Sequence, residues 1–136
     1  MSIKSVQLNV EALEQITRLK KSLGINKNNV MCRWALLLSL REPGKITELN
    51  LNFDTGGRGE IAWDTFGGEH GAMYLAVLKL RLKQDGIDPS YDNMRRLLIQ
   101  HINRGLGYML GGKNMKSIRD LIALAIPDGT LEDGIR

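Results

Sequence analysis

Cys32 is the one cysteine in the chain, and it stands beside Arg33 near the start of an apolar helical stretch, "VMCRWALLLSL". A helix N-terminus and a neighbouring guanidinium both favour a thiolate. Those two features would suit a persulfide carrier. The competing reading is a small buried apolar residue. His70 and His101 have no Cys, Asp or Glu partner at metal-ligand spacing, so no metal site is expected. His101 falls on the apolar stripe of its helix and reads as a core histidine with one hydrogen bond. Gly107, Gly112 and Lys113 match the spacing of a phosphate loop, G-x-x-x-x-G-K. Asn114 then stands where such a loop needs Ser or Thr for magnesium. A helix precedes the match where a strand is required, so Gly111-Gly112 reads as a helix stop. "GGRG" at 56–59 reads as a turn. No catalytic residue and no cofactor emerge, and the chain is not expected to be an enzyme.

Three groups of cations remain as candidate anion contacts. Arg18 and Lys21 lie opposite the apolar stripe of the first helix, and Lys27 follows just past its end. Lys79 and Lys83 stand at i,i+4 on the third helix. Lys113, Lys116 and Arg119 are spaced by three around the start of the last helix, whose N–H groups also suit an anion. Each group alone is an ordinary solvated face; together they suit a phosphate backbone.

The elements that must carry these residues can be read from periodicity. "SIKSVQLN" ends in the alternation of a short strand. Asn9 is a suitable helix N-cap with Glu11 in the first turn, and Leu8 and Leu13 occupy the positions of a hydrophobic staple. Ala12, Leu13, Ile16, Leu19 and Leu23 form one face, and Gly24 ends the helix. Asn26 is expected to open the second helix, which Pro43-Gly44 stop. "TELNLNFD" reads as a strand, "TGGRG" as a turn, and "EIAWDTF" as a returning hairpin strand. A third helix runs from about Glu69 to Gln84. Ser90 can cap a fourth, with Met94, Leu97, Leu98, Ile102, Gly105 and Met109 as its stripe. Ser117 and Asp120 form a capping box for a short last helix that Pro127 closes, before a polar tail. The expected fold is mainly α, one domain over residues 1–136. Its N-terminal strand, helix, turn and helix follow the order of a ribbon-helix-helix, Met repressor-like module, with further helices and a short β element in the middle.

The totals agree with a globular protein: 43% hydrophobic, 25% charged and only 5% aromatic residues. No apolar run reaches the ~18 residues of a membrane span, and the N-terminus lacks the apolar core of a secretory signal. One cysteine fits a reducing cytoplasm. The net charge of +4 is zoned. Residues 1–41 are net +5, residues 42–72 net −4 and residues 73–136 net +3.

The second and third helices are apolar on nearly every side. A domain of this size can cover such a helix internally only by placing it at the centre. We therefore expect a homo-oligomer, a dimer or a dimer of dimers, with Trp34, Leu36, Leu40, Leu75 and Leu82 at its interface.

"LKKSLGINKNNVMCRWALLLSLREPG", "FGGEHGAMYLAVLKLR" and "HINRGLGYML…KSIRDLIALA" resemble, in that order, the start, middle and end of the DndE-type DNA sulfur-modification proteins. The resemblance covers most of the chain. It implies a small, mainly helical component of the bacterial apparatus that replaces a non-bridging phosphate oxygen of DNA by sulfur. It further implies a protein that does not perform the sulfur chemistry, forms oligomers (tetramers in some members), binds nicked double-stranded DNA and uses no metal or cofactor. Other proteins of the apparatus would be its partners. Nothing in the spacing encodes a preference for nicks. Ser5 and Gln7 could read bases if their strand paired as in ribbon-helix-helix repressors; backbone contact with little sequence preference is the main expectation. A ribbon-helix-helix transcriptional repressor and a Cys32 persulfide carrier stand as alternatives.

Overall fold

The computed structural model describes residues 3–111. Strand β1 (Ser5–Gln7) leads into α1 (Val10–Leu23) and α2 (Asn28–Arg41). After an irregular stretch come β2 (Glu60–Ala62), the short helix α3 (Trp63–Gly67), α4 (Gly71–Gln84) and α5 (Tyr91–Gly111). The expected last helix lies outside the described residues.

α1 forms as its pattern dictates. Ala12, Ile16, Leu19 and Leu23 are buried, one every three or four residues, so one stripe faces the core. Gly24 ends the helix at φ 70°, a left-handed conformation that only glycine adopts cheaply, and its N–H bonds to the Lys20 carbonyl. Asn9 stands at the N-cap position in extended backbone, but its side chain makes no capping bond. It is fully buried and pairs reciprocally with Asn103 of α5, at 3.0 and 2.8 Å. A buried amide must find partners, and the facing amide supplies both. α2 begins at Asn28, two residues later than expected, with Lys27 in the cap position. Ser90 does cap α5: its Oγ accepts from the Asn93 N–H at 3.2 Å.

α2 is the central element. Met31, Cys32, Ala35, Leu36 and Leu38 are buried in it, with α5 as its main neighbour and α3 beside it. Burial of each such side chain contributes about 1.5–3 kcal/mol. The subunit thus covers most of its own greasy helix and leaves Leu37 exposed. Leu36 and Leu82 have no exposed surface at all, and Trp34, Leu40 and Leu75 pack partly buried against the same core. An interface at Leu36 and Leu82 is therefore excluded, because their surface is spent within the chain.

The strand pairing departs from expectation. β1 runs antiparallel to β2 of its own chain, with Ser5 opposite Ala62, Val6 opposite Ile61 and Gln7 opposite Glu60. The order strand, helix, helix of the expected ribbon-helix-helix module is present, and β1 finds a ladder partner within its own chain. Residues 47–54 form no strand. The Gln100 side chain takes the place of a ladder partner, accepting from the Leu49 N–H at 2.9 Å and donating to the Leu49 carbonyl at 2.8 Å. Thr55 to Gly59 do form a turn, in which the Thr55 hydroxyl donates to the Arg58 carbonyl at 2.8 Å.

Candidate nucleic-acid interface

Arg18 and Lys21 are exposed on α1, on the stripe opposite its buried face, and Lys27 is exposed at the start of α2. Lys79 and Lys83 are exposed on α4. Lys113, Lys116 and Arg119 lie outside the described residues. Lys79 stands near a basic set, Lys4, Arg95 and Arg96, that sequence reading missed. It lines a small cavity of about 200 Å³ with Ile3, Tyr91 and Met94. Ile3 and Tyr91 also line a larger groove of about 540 Å³ between β1 and the first turns of α5. That groove carries Lys4, Arg95 and Arg96, with Asp92 as its acidic member and Phe53 as an added aromatic wall.

Two of the groove's charges, Arg95 and Arg96, are held in place. Arg96 donates to the Glu48 carboxylate at 2.6 Å and to Asn93 Oδ1 at 2.7 Å. The Arg95 guanidinium sits over the Tyr91 ring, 5.6 Å from its centroid, a cation–π contact. Phe53 is half exposed. Gln7 is committed elsewhere: its amide donates to the Leu8 and Arg58 carbonyls, both at 2.9 Å. The Gln7 amide N–H groups are therefore taken within the chain and are not free for base readout. The signal for this groove lay in Lys4, Arg95 and Arg96, but pairing β1 with the head of α5 is a tertiary fact.

Two other arginines look basic in sequence and serve the fold. Arg81 is buried, bonded to Asp85 at 3.0 Å and to the Leu40 and Gly44 carbonyls at 2.9 and 2.6 Å. Arg104 reaches the Ser39 and Gly44 carbonyls at 2.6 and 2.7 Å and the Ser39 hydroxyl at 2.8 Å. Together they satisfy the orphan carbonyls at the end of α2. Arg33 does the same for α3, donating to the Thr65 carbonyl at 2.8 Å and to the Phe66 carbonyl.

The candidate reactive side chains are enclosed. Cys32 has no exposed surface, and burial pushes its thiol up to about 12. The reading of Cys32 as an activated thiol is overturned. Desolvation raises a thiol pKa, and Arg33 points its guanidinium at α3 and not at the sulfur. His101 is likewise inside. Its Nδ1 meets the Ser39 hydroxyl at 2.7 Å, while Nε2 is buried with no partner. Burial first, then the Arg104 and Arg81 charges, hold its pKa down at about 4. It is the core histidine its helix position implied. Among the described residues, no group of His, Cys, Asp or Glu is placed to hold a metal. None of their helices is long and apolar enough to cross a membrane.

A mainly helical domain with a two-stranded ribbon and a split basic surface is the class of protein defined so far. The family described as "DNA sulphur modification protein DndE" matches residues 5–117, and this chain belongs to it. Among solved structures, the chain is similar to DndE from Escherichia coli B7A, described as involved in DNA phosphorothioation modification. The TM-score is 0.66 at 20% identity, over 80% of this chain and 98% of that one. A DndE G21/24K mutant involved in DNA phosphorothioation superposes with a TM-score of 0.63 at 17% identity, over 80% and 98% of the two chains. At these identities the likeness establishes a shared fold. No curated protein matches.

Proposed function

We propose that this chain is a non-catalytic, DNA-binding component of the phosphorothioation apparatus, acting in the cytoplasm on double-stranded DNA, nicked duplex above all. It works as a homo-oligomer, a tetramer, alongside the other proteins of that apparatus. Family membership supports the process. The observation that carries DNA contact is that Arg18, Lys21, Lys27, Lys79 and Lys83 are all exposed, whereas three further helix cations, Arg33, Arg81 and Arg104, are consumed by the fold. Exposed cations bind phosphates by counterion release and give little sequence preference. The nick in this reading comes from the family resemblance and from no particular residue. A base-reading repressor is the weaker reading, because the Gln7 amide is already bonded within the chain.

Oligomer formation finds support on α4. Met73, Val77 and Leu80 stand at i, i+4 and i+7 and are 51%, 37% and 61% exposed. They form one apolar stripe on the face of α4 opposite the core.

The test is charge reversal. Arg18→Glu with Lys21→Glu should weaken binding to every duplex by a similar factor and leave the oligomer intact. Unchanged affinity for nicked duplex at two salt concentrations removes α1 from the DNA surface.

A further inference from the structure

The groove between β1 and the head of α5 differs from the exposed cations of α1 and α4. It is concave, and its volume of about 540 Å³ falls in the range of sites that enclose a small ligand, roughly 300–1,000 Å³. A duplex cannot enter a space of that size; one unstacked nucleotide can. Its lining has the composition that single-stranded nucleic acid selects, cations for the backbone beside aromatic faces for the bases. Lys4 and Arg95 are exposed, whereas Arg96 is neutralised by Glu48. Asp92 is the groove's acidic member, and Lys4 and Arg95 together outweigh it for an anion. The Tyr91 ring already carries the Arg95 guanidinium. Phe53 has a half-exposed ring and is the surface on which a base can stack.

We propose that this groove holds one unpaired nucleotide of a DNA strand, its phosphate on Lys4 and Arg95 and its base against Phe53. The inference rests on the DNA-binding reading above and assigns it a second, distinct contact. A duplex with an unpaired nucleotide at a nick engages the exposed cations and the groove together, while a flush nick, whose bases stay stacked, engages the cations alone.

The experiment uses the full chain and two labelled duplexes of identical sequence. One has a flush nick; the other has a single unpaired 5′-phosphothymidine at the nick. Stacking one base on an aromatic ring should tighten binding of the second by about fivefold or more. Phe53→Ala and Arg95→Ala should each erase that gain, while flush-nick affinity stays within about twofold, a free-energy change well under that of one stacked base. Circular dichroism confirms that both variants fold. A 4-thiothymidine at the unpaired position should photocrosslink to groove residues. Equal affinity for the two duplexes, a gain that survives Phe53→Ala, or crosslinks only elsewhere overturns the groove assignment and leaves DNA binding standing. Failure of wild type to bind either duplex overturns both.

Discussion

Gly105 of α5 lies so close to Ala35 of α2 that a Cβ on the glycine would stand 1.7 Å from the Ala35 carbonyl oxygen. The backbones of the two central helices touch at this point, and no side chain fits between them. Gly105→Ala must drive α2 and α5 apart along their whole contact. Overpacking costs about 1–3 kcal/mol and occasionally more, and here the obstacle is backbone, which cannot rotate away. Chemical denaturation should show a loss of about 3 kcal/mol or a chain that does not fold. A loss below about 0.5 kcal/mol, the range of an ordinary surface change, would contradict the helix packing.

Cys32 should be inert. With its thiol buried and its pKa raised to about 12, a negligible thiolate fraction exists at neutral pH. A disulfide reagent should label the native protein orders of magnitude more slowly than the denatured one. Incubation with a cysteine desulfurase should add no +32 Da adduct, the mass of one sulfur. An adduct that disappears in Cys32→Ala would restore the carrier reading.

His101 makes stability depend on pH with a defined sign. Its folded pKa of about 4 lies below the ordinary 6.5, so the unfolded chain takes up the proton first. The stability associated with a neutral His101 is fully present above pH 6.5. It is lost as pH falls from 6.5 through about 4. The physical reason is desolvation of a charged ring in the core, reinforced by the Arg104 and Arg81 charges. The expected loss is on the order of 3 kcal/mol. Replacing His101 by Asn should flatten the curve in that window. A wild-type curve that is already flat there would refute the burial of a neutral ring.

Assembly should depend on α4. Sedimentation at micromolar concentration is expected to return a multiple of the 15.2 kDa chain mass. Val77→Lys with Leu80→Lys should lower it without unfolding the subunit, because both side chains already reach solvent. A wild-type mass of one chain would end the oligomer proposal.

Much of this structure was legible because local rules agreed with the tertiary outcome. The α1 stripe, the Gly24 stop, the Ser90 cap and the stripe of α5 with Gly105 on it follow from side-chain period and capping chemistry. Long-range partners were not legible. β1 and residues 60–62 carry no signal that selects each other, so the hairpin expected within 47–66 gave way to a ladder across the two first helices. Asn9 has the right residue type for a cap, and only the buried Asn103 opposite it redirects the side chain. Arg81 sits between Lys79 and Lys83 in sequence, yet it turns inward because the end of α2 presents unpaired carbonyls there. Where apolar residues surround a helix, period cannot choose the buried face. For that reason Leu36 and Leu82 were expected at an interface and lie in the core, while Met73, Val77 and Leu80 face outward.

The most direct test of the central claim is fluorescence anisotropy with intact and nicked duplexes of one sequence, titrated across a range of salt concentrations. The account predicts binding that weakens linearly on logarithmic axes, with a slope of about −0.9 per phosphate contacted, little change between unrelated sequences, and tighter binding of the nicked form. Affinity independent of salt, or confined to one duplex sequence, would contradict it.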